Sequence, residues 1–481
     1  MQCDLRSGSC GQCIRAHVSC TGYRDTQQLR VRDESRAVRI KALSKYAPHL
    51  EPCSPPLSLD VQARDAFFAY YVTGTSKTWD FLKPFFDLTQ SPEHLRLSID
   101  AASLAYLSHQ VYSDAAITTA REKYVSALRM TNKALESPEV AARDTTLLTS
   151  LLLDLFEKIT NSESRHSKSW TGHAAGALAL VKLRGLDQFQ DPAALRVLVR
   201  LSTNFLIGCV ASDTPVPDEL VALRAHAGKQ LDVRDPKWRL TDLMVDFANL
   251  RSDIRRNHLS IEQYMSFSLD LDAKLQTLAL DMPPSWQYKT TLLDRESERT
   301  YNNRFDSYAD RHATQTWNVL RLVRILLNES ILEYCLVSAG SLQVDEDLVG
   351  MAKDNIKTLA CEICFSASQY VGCLGAARGM LSSQDSSTGP GVSDSAFDGA
   401  QHLHSPSQNL DCYTLIFPLY VAGRSRSSPN GLRSWVIEQL HYMGSHFGIR
   451  NAGLVRQILE QGTEVNPWTV YAMLGSYAFA A

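Results

Sequence analysis

The chain lacks an uninterrupted apolar run of the roughly eighteen residues that a membrane span requires, and its N-terminus carries cysteines and charges where a signal peptide would carry an apolar stretch. Neither a spanning helix nor a secretory leader is expected, and the chain reads as intracellular, with no membrane partner. It also lacks an excess of either charge: 49 Lys and Arg face 52 Asp and Glu, for a formal net charge of -3. That balance excludes a surface coated in basic groups, so any contact with nucleic acid must be local. Residues 1–50 are where it would lie, since nine Lys and Arg stand there against four Asp and Glu. Catalytic signatures are missing too: there is no G-x-S-x-G elbow, phosphate-binding G-x-x-x-x-G-K-[ST] loop, H-E-x-x-H helix or G-x-G-x-x-G turn. A helical enzyme that holds magnesium needs clustered carboxylates, and Asp345-Glu346-Asp347 has no second acidic partner at helical spacing. No enzymatic activity is expected.

Cysteine is present in an odd number, eleven, with five in the first 53 residues and the others scattered through apolar segments. Reduced thiols fit that distribution better than a disulfide framework. Cys3, Cys10, Cys13 and Cys20 form the pattern C-x(6)-C-x(2)-C-x(6)-C among small and charged residues such as Gly8, Gly11 and Arg15. Thiolates so spaced suit a soft cation better than a hydrophobic core. Two readings stand: one ion held by all four cysteines, or by three with His17, and four cysteines without a ligand.

The order of these cysteines resembles the second part of the fungal zinc binuclear cluster, in which six cysteines hold two zinc ions. The resemblance makes Cys3 the third cysteine and Cys10, Cys13 and Cys20 the fourth, fifth and sixth; counterparts of the first two are missing. With four ligands per structural zinc, the two-zinc cluster cannot form from these cysteines, and at most one zinc ion is expected. The basic run that reaches the DNA major groove in that family is missing as well; Arg6 and Arg15 are the candidate DNA contacts that remain. DNA binding is therefore expected to be weak or absent, and Met1 to be a misplaced start or a truncation.

Residues 25–59 read as a charged linker closed by Ser54-Pro55-Pro56. From residue 60 the pattern is helical and no β-alternation appears. A dense aromatic group, Phe67, Phe68, Tyr70, Tyr71, Trp79, Phe81, Phe85 and Phe86, reads as core, since no basic residues alternate with it for base stacking. Leu148, Leu151, Leu152 and Leu155 recur at i, i+3, i+4 and i+7, the mark of one buried helix face. In residues 169–189, Lys182 and Arg184 suit the negative end of a helix, and Gly185 is placed to end it with a positive φ; His173 reads as a hydrogen-bonded histidine beneath a helix crossing. Leu320, Val323, Leu327 and Ile331 make another stripe, with Arg321 and Arg324 turned away. The Cys361-x-x-Cys364 pair and Cys373 sit among apolar neighbours and read as small core residues. Residues 382–408, rich in Ser, Gly and Asp, cannot repay the entropy of ordering and read as a disordered loop, whose His402 and His404 make no site.

The W-x-x-H-x-x-G-A segment ending in L-R-G-x-x-Q-F (170–189), the preceding DTTLLTSLLLDLFE (144–157), and FPLYVAGRS (417–425), RSWVIEQL (433–440) and HFGIRNA (446–452) resemble, in that order, the helical regulatory domain that follows the cluster in fungal zinc-cluster transcription factors. The resemblance implies an all-α protein with a partial zinc module over residues 1–24 and a regulatory domain over 60–481. It further implies control of transcription in the nucleus, with DNA, a dimer mate or a partner transcription factor as its associates. The other reading is a regulator that does not bind DNA and acts through a partner or a small-molecule effector.

Overall fold

The computed structural model describes residues 6–20, 57–73, 78–111, 113–160, 172–294, 297–338, 346–371 and 406–474. The chain divides into two compact units, Met1–Leu57 and Ser58–Ala481. Within the described part of the first, the regular element is the short helix α1 (Gly11–Arg15).

The second unit is all-α apart from one two-stranded ribbon among the described residues. Helix α2 (Leu59–Phe67) starts at the last residue expected in the linker and continues into a π-turn, Phe68–Val72, followed by a 3-10 turn, Asp80–Phe85. These turns carry the aromatic group into the core. Phe67 and Trp79 are buried, and the rings of Phe67 and Tyr106 each lie 5.1 Å from that of Tyr71. Around them pack α3 (Glu93–Val111), α4 (Asp114–Leu135), the short α5 (Pro138–Ala141), α6 (Asp144–Thr160), α7 (Gly172–Arg184) and α8 (Pro192–Ser212). Ser113 caps α4 by accepting from the Ala116 amide, and α4 buries Ala116, Ala120, Ala127 and Ala134, small residues that let α3 approach closely. Helix α6 exceeds the single stripe expected of it, because every residue from Thr146 to Phe156 is buried. It lies against α3, α4 and α7, and each buried leucine contributes about 1.5–3 kcal/mol.

Helix α7 ends at Gly185, whose φ of +82° provides the expected positive-φ stop. Arg184 does more than face the helix dipole: it pairs with Asp144 and sits 4.1 Å over the Phe189 ring. Although Arg196 and Arg200 interrupt its apolar run, α8 is long and apolar enough by length and composition to cross a membrane. The reason lies in packing. Ala194 to Leu201 enter the first core, Leu206 to Val210 enter a second, and 67% of the span is buried, so the helix needs little polar face.

The second core is built by α9 (Asp218–Ala227), α10 (Pro236–Arg255), α11 (Ile261–Leu280), α12 (Arg311–Ser338), α13 (Glu346–Val371), α14 (Pro406–Arg424), α15 (Leu432–His446), α16 (Arg450–Gln461) and α17 (Pro467–Leu474). Helix α14 begins at Pro406, inside the segment expected to be a disordered loop; residues 382–405 of that segment, with His402 and His404, lie outside the described residues. Proline at a first helical position has no amide to leave unpaired, which makes it a natural start. Where α14 meets α15, a Cβ on Gly423 would come within 3.1 Å of Val436 Cγ1, so glycine sets the closeness of that crossing.

Two features depart from the sequence reading. Strands β1 (Lys289–Leu292) and β2 (Arg304–Ser307) pair antiparallel, with Lys289 opposite Ser307 and Leu292 opposite Arg304. Four residues per strand are too few for alternation to register. The second is that Arg321 and Arg324 are buried rather than turned away. Arg321 donates to Glu362 at 3.0 Å and to the Tyr308 hydroxyl at 2.7 Å, and Arg324 grips Asp272 through two bonds of 2.8 and 2.9 Å. Desolvation makes a lone buried guanidinium untenable, and these partners on other elements remove the objection.

Candidate metal centre

Cys10 occupies the N-cap of α1 in extended backbone, and its Sγ accepts the Cys13 amide at 3.4 Å. One turn of helix thus carries Cys13 back towards Cys10. The next residues, with His17 at φ +51°, turn the chain so that Cys20 returns to the same point. The three sulfurs lie within 4.8 Å of one another, and Cys10 is buried beneath them. Tetrahedral thiolates on a zinc-sized ion at about 2.3 Å stand about 3.8 Å apart, so the group could hold a metal ion after a small contraction.

The electrostatics agree with the geometry. The Cys13 thiol is pushed up to about 11, first by its hydrogen bond with Cys10, then by desolvation, then by Cys20. Three thiols in contact cannot all ionise unaided, because each thiolate repels the next. A bound cation reverses that ordering and deprotonates them together. The donor set therefore fits a soft divalent ion.

Of the other residues expected here, Cys3 lies outside the described residues. His17 is exposed and does not join the sulfur group. Arg6 and Arg15 are both exposed, and Arg15 folds back so that its Nε donates to the Gly11 carbonyl at 3.1 Å. Ile14 and Val18, 56% and 59% exposed, place apolar surface beside the thiols, a feature the sequence reading passed over.

The remaining candidates resolve as packing. Cys364 is fully buried and Cys361 half-buried, with burial pushing both thiols up, and neither belongs to a metal-type group among the described residues. Cys373 lies outside the described residues. His173 is the hydrogen-bonded histidine expected: its Nε2 lies 3.2 Å from the Tyr124 hydroxyl and 3.3 Å from Glu157, and that hydroxyl donates to Glu157 at 2.5 Å, tying α4, α6 and α7 together.

No curated protein and no solved structure matches the chain. The matched part begins after the thiol group and ends with the last residue of α8, leaving the motifs at 417–452 outside it. Over that stretch, residues 24–212, the chain matches the family model of the fungal specific transcription factor domain, which describes a transcription factor domain and not an enzyme family.

Proposed function

We propose that this protein regulates transcription in the nucleus without enzymatic activity, and that its N-terminal thiols hold a single zinc ion. The observation that carries the first part is the match of residues 24–212 to a transcription factor domain; the second rests on the convergence of Cys10, Cys13 and Cys20. Zinc is the fitting ion because an all-sulfur donor set selects a soft or borderline cation over harder ones. Cys3 is the natural fourth ligand.

DNA contact through this segment amounts to phosphate attraction. Arg6 and Arg15 are exposed, and among the described residues no basic run stands beside them on a helix that could enter a groove and read base edges. Specific recognition then comes through a partner that binds DNA itself.

The test joins the 481-residue chain to an unrelated DNA-binding module and follows a reporter bearing that module's site. A change in transcription in either direction is expected, and unchanged output from a well-expressed fusion would sink the regulatory reading. On the unfused protein, elemental analysis should give one zinc per chain, lost in Cys13→Ser. A mobility-shift titration should show weak binding that is indifferent to sequence and vanishes as salt rises. Two zinc ions per chain with sequence-selective binding at physiological salt would overturn this account of the N-terminus.

A further inference from the structure

Within the helical unit, α8, α10, α12 and α17 leave a slot between them, walled by Leu206, Val210, Met244, Val319 and Trp468 and nearly all apolar. The cavity volume is about 70 Å³, room for a few waters. A space of that size suits a short acyl chain. Apolar walls alone would make this a packing defect, but two hydrogen-bond donors set it apart.

Lys237, in the first turn of α10, lines the slot, and its ammonium makes no ion pair or hydrogen bond among the described residues. Its side chain is exposed to solvent, so the cation stands at the slot without being enclosed by it. Neighbouring protein atoms, then the guanidinium of Arg200, pull the ammonium down, with Arg311 adding to this and only Asp235 opposing. Asp235 is already engaged, because its carboxylate accepts the Lys237 and Trp238 amides as the cap of α10. The second donor is the indole N–H of Trp468, buried with no acceptor among the described residues. A buried donor without an acceptor destabilises an otherwise finished fold.

An unpaired cation and an unpaired indole N–H beside a small, mainly apolar slot describe one kind of ligand. We propose that this slot binds a slender amphipathic carboxylate, its head accepting from Lys237 and its acyl chain lying along Leu206, Val210, Met244 and Val319. The anion would offset the repulsion from Arg200, and the chain would fill space that side chains leave empty. Because the slot is remote in sequence from the thiols and its chemistry is its own, the inference stands whether or not the protein acts on transcription.

The probe is octanoate, titrated calorimetrically into the full chain, with octylammonium and octanol as companions of equal length. Octanoate should bind at micromolar to millimolar concentration, octanol about tenfold or more weakly, and octylammonium not measurably. Lys237→Met keeps the stem and removes the charge; it should reduce octanoate affinity at least tenfold while leaving octanol unchanged. Val319→Phe should fill the slot and abolish both. If Lys237→Met binds octanoate as tightly as the unaltered chain, if octylammonium binds equally well, or if no heat appears with protein shown folded by circular dichroism, the proposal fails.

Discussion

The two cores of the helical unit differ in where their most buried charges find partners. In the first, the most buried pair is local, with Lys158 and Asp154 one helical turn apart on α6 at 2.7 Å, although Arg64 on α2 also reaches Asp100 on α3 across 36 residues. In the second, charges run through the interior over long sequence distances. Arg324 reaches Asp272 on α11 with Asn328 bonded to the same carboxylate at 3.1 Å, and Arg321 reaches Glu362 on α13. The family match covers the first kind of core and stops as α8 passes into the second. An apolar core accepts any helix with a suitable stripe, whereas a core threaded with paired charges accepts only the partner that carries the counter-charge. We read the second core as the part whose helix pairing is specified by electrostatics.

The sharpest way to break this comparison is to place a charge where none is provided for. Leu152 is fully buried on α6, the helix that the first core surrounds. Leu152→Asp should unfold the chain or leave it insoluble, since an unpaired buried carboxylate costs several kcal/mol beyond the lost leucine. An unchanged melting curve by circular dichroism would show that the first core is not the apolar body described.

A smaller effect should come from removing one member of a pair that is provided for. Arg324→Ala leaves Asp272 buried with only Asn328 to answer it, and should cost about 3–5 kcal/mol. The informative companion is Arg324→Met with Asp272→Leu, which removes both charges. That variant should recover most of the melting temperature, because the net stability of a buried pair is small. If the double variant melts as low as the single, the pair contributes stability directly and the electrostatic specification of α11 and α12 is not needed to explain it.

What could be read from the sequence follows the same division. The stripe on α6, the aromatic group from Phe67 to Phe86, the stop at Gly185 and the role of His173 were legible because each is encoded within a turn or two of helix or by a single residue's chemistry. Arg321 and Arg324 were not, since their counter-charges lie 41 and 52 residues away on other helices. The double role of helix α8 was hidden for a related reason: service in two cores gives it the composition of a membrane span. At the candidate metal centre, the residue types and the C-x-x-C turn were legible from spacing. The return of Cys20 through the left-handed turn at His17 was not, because a positive φ at a residue other than glycine leaves little trace in sequence. The slot beside Lys237 was hidden altogether, as its walls come from four helices separated by more than 200 residues.

The smallest expected effect probes a titratable group in the first core. His94, in the first turn of α3, is buried, and its Nε2 has no hydrogen-bond partner among the described residues. Burial, aided by the charge of Arg143, holds its imidazole below the ordinary value of 6.5. In the unfolded chain the ring takes up a proton near that value, while in the native state it does so only at lower pH. Between the two, the unfolded state binds more protons, so stability falls as pH falls below 6.5 and levels off once the native ring is also charged. Melting temperature should therefore decline as pH is taken from 7.5 towards 5, by less than either core substitution produces. His94→Leu removes the titrating group from a site with no polar partner for it, and should flatten part of that slope without lowering the melting temperature at pH 7.5. An identical slope in the variant would mean that His94 is charged or solvated in the native state, and that the first core is wetter at α3 than its packing indicates.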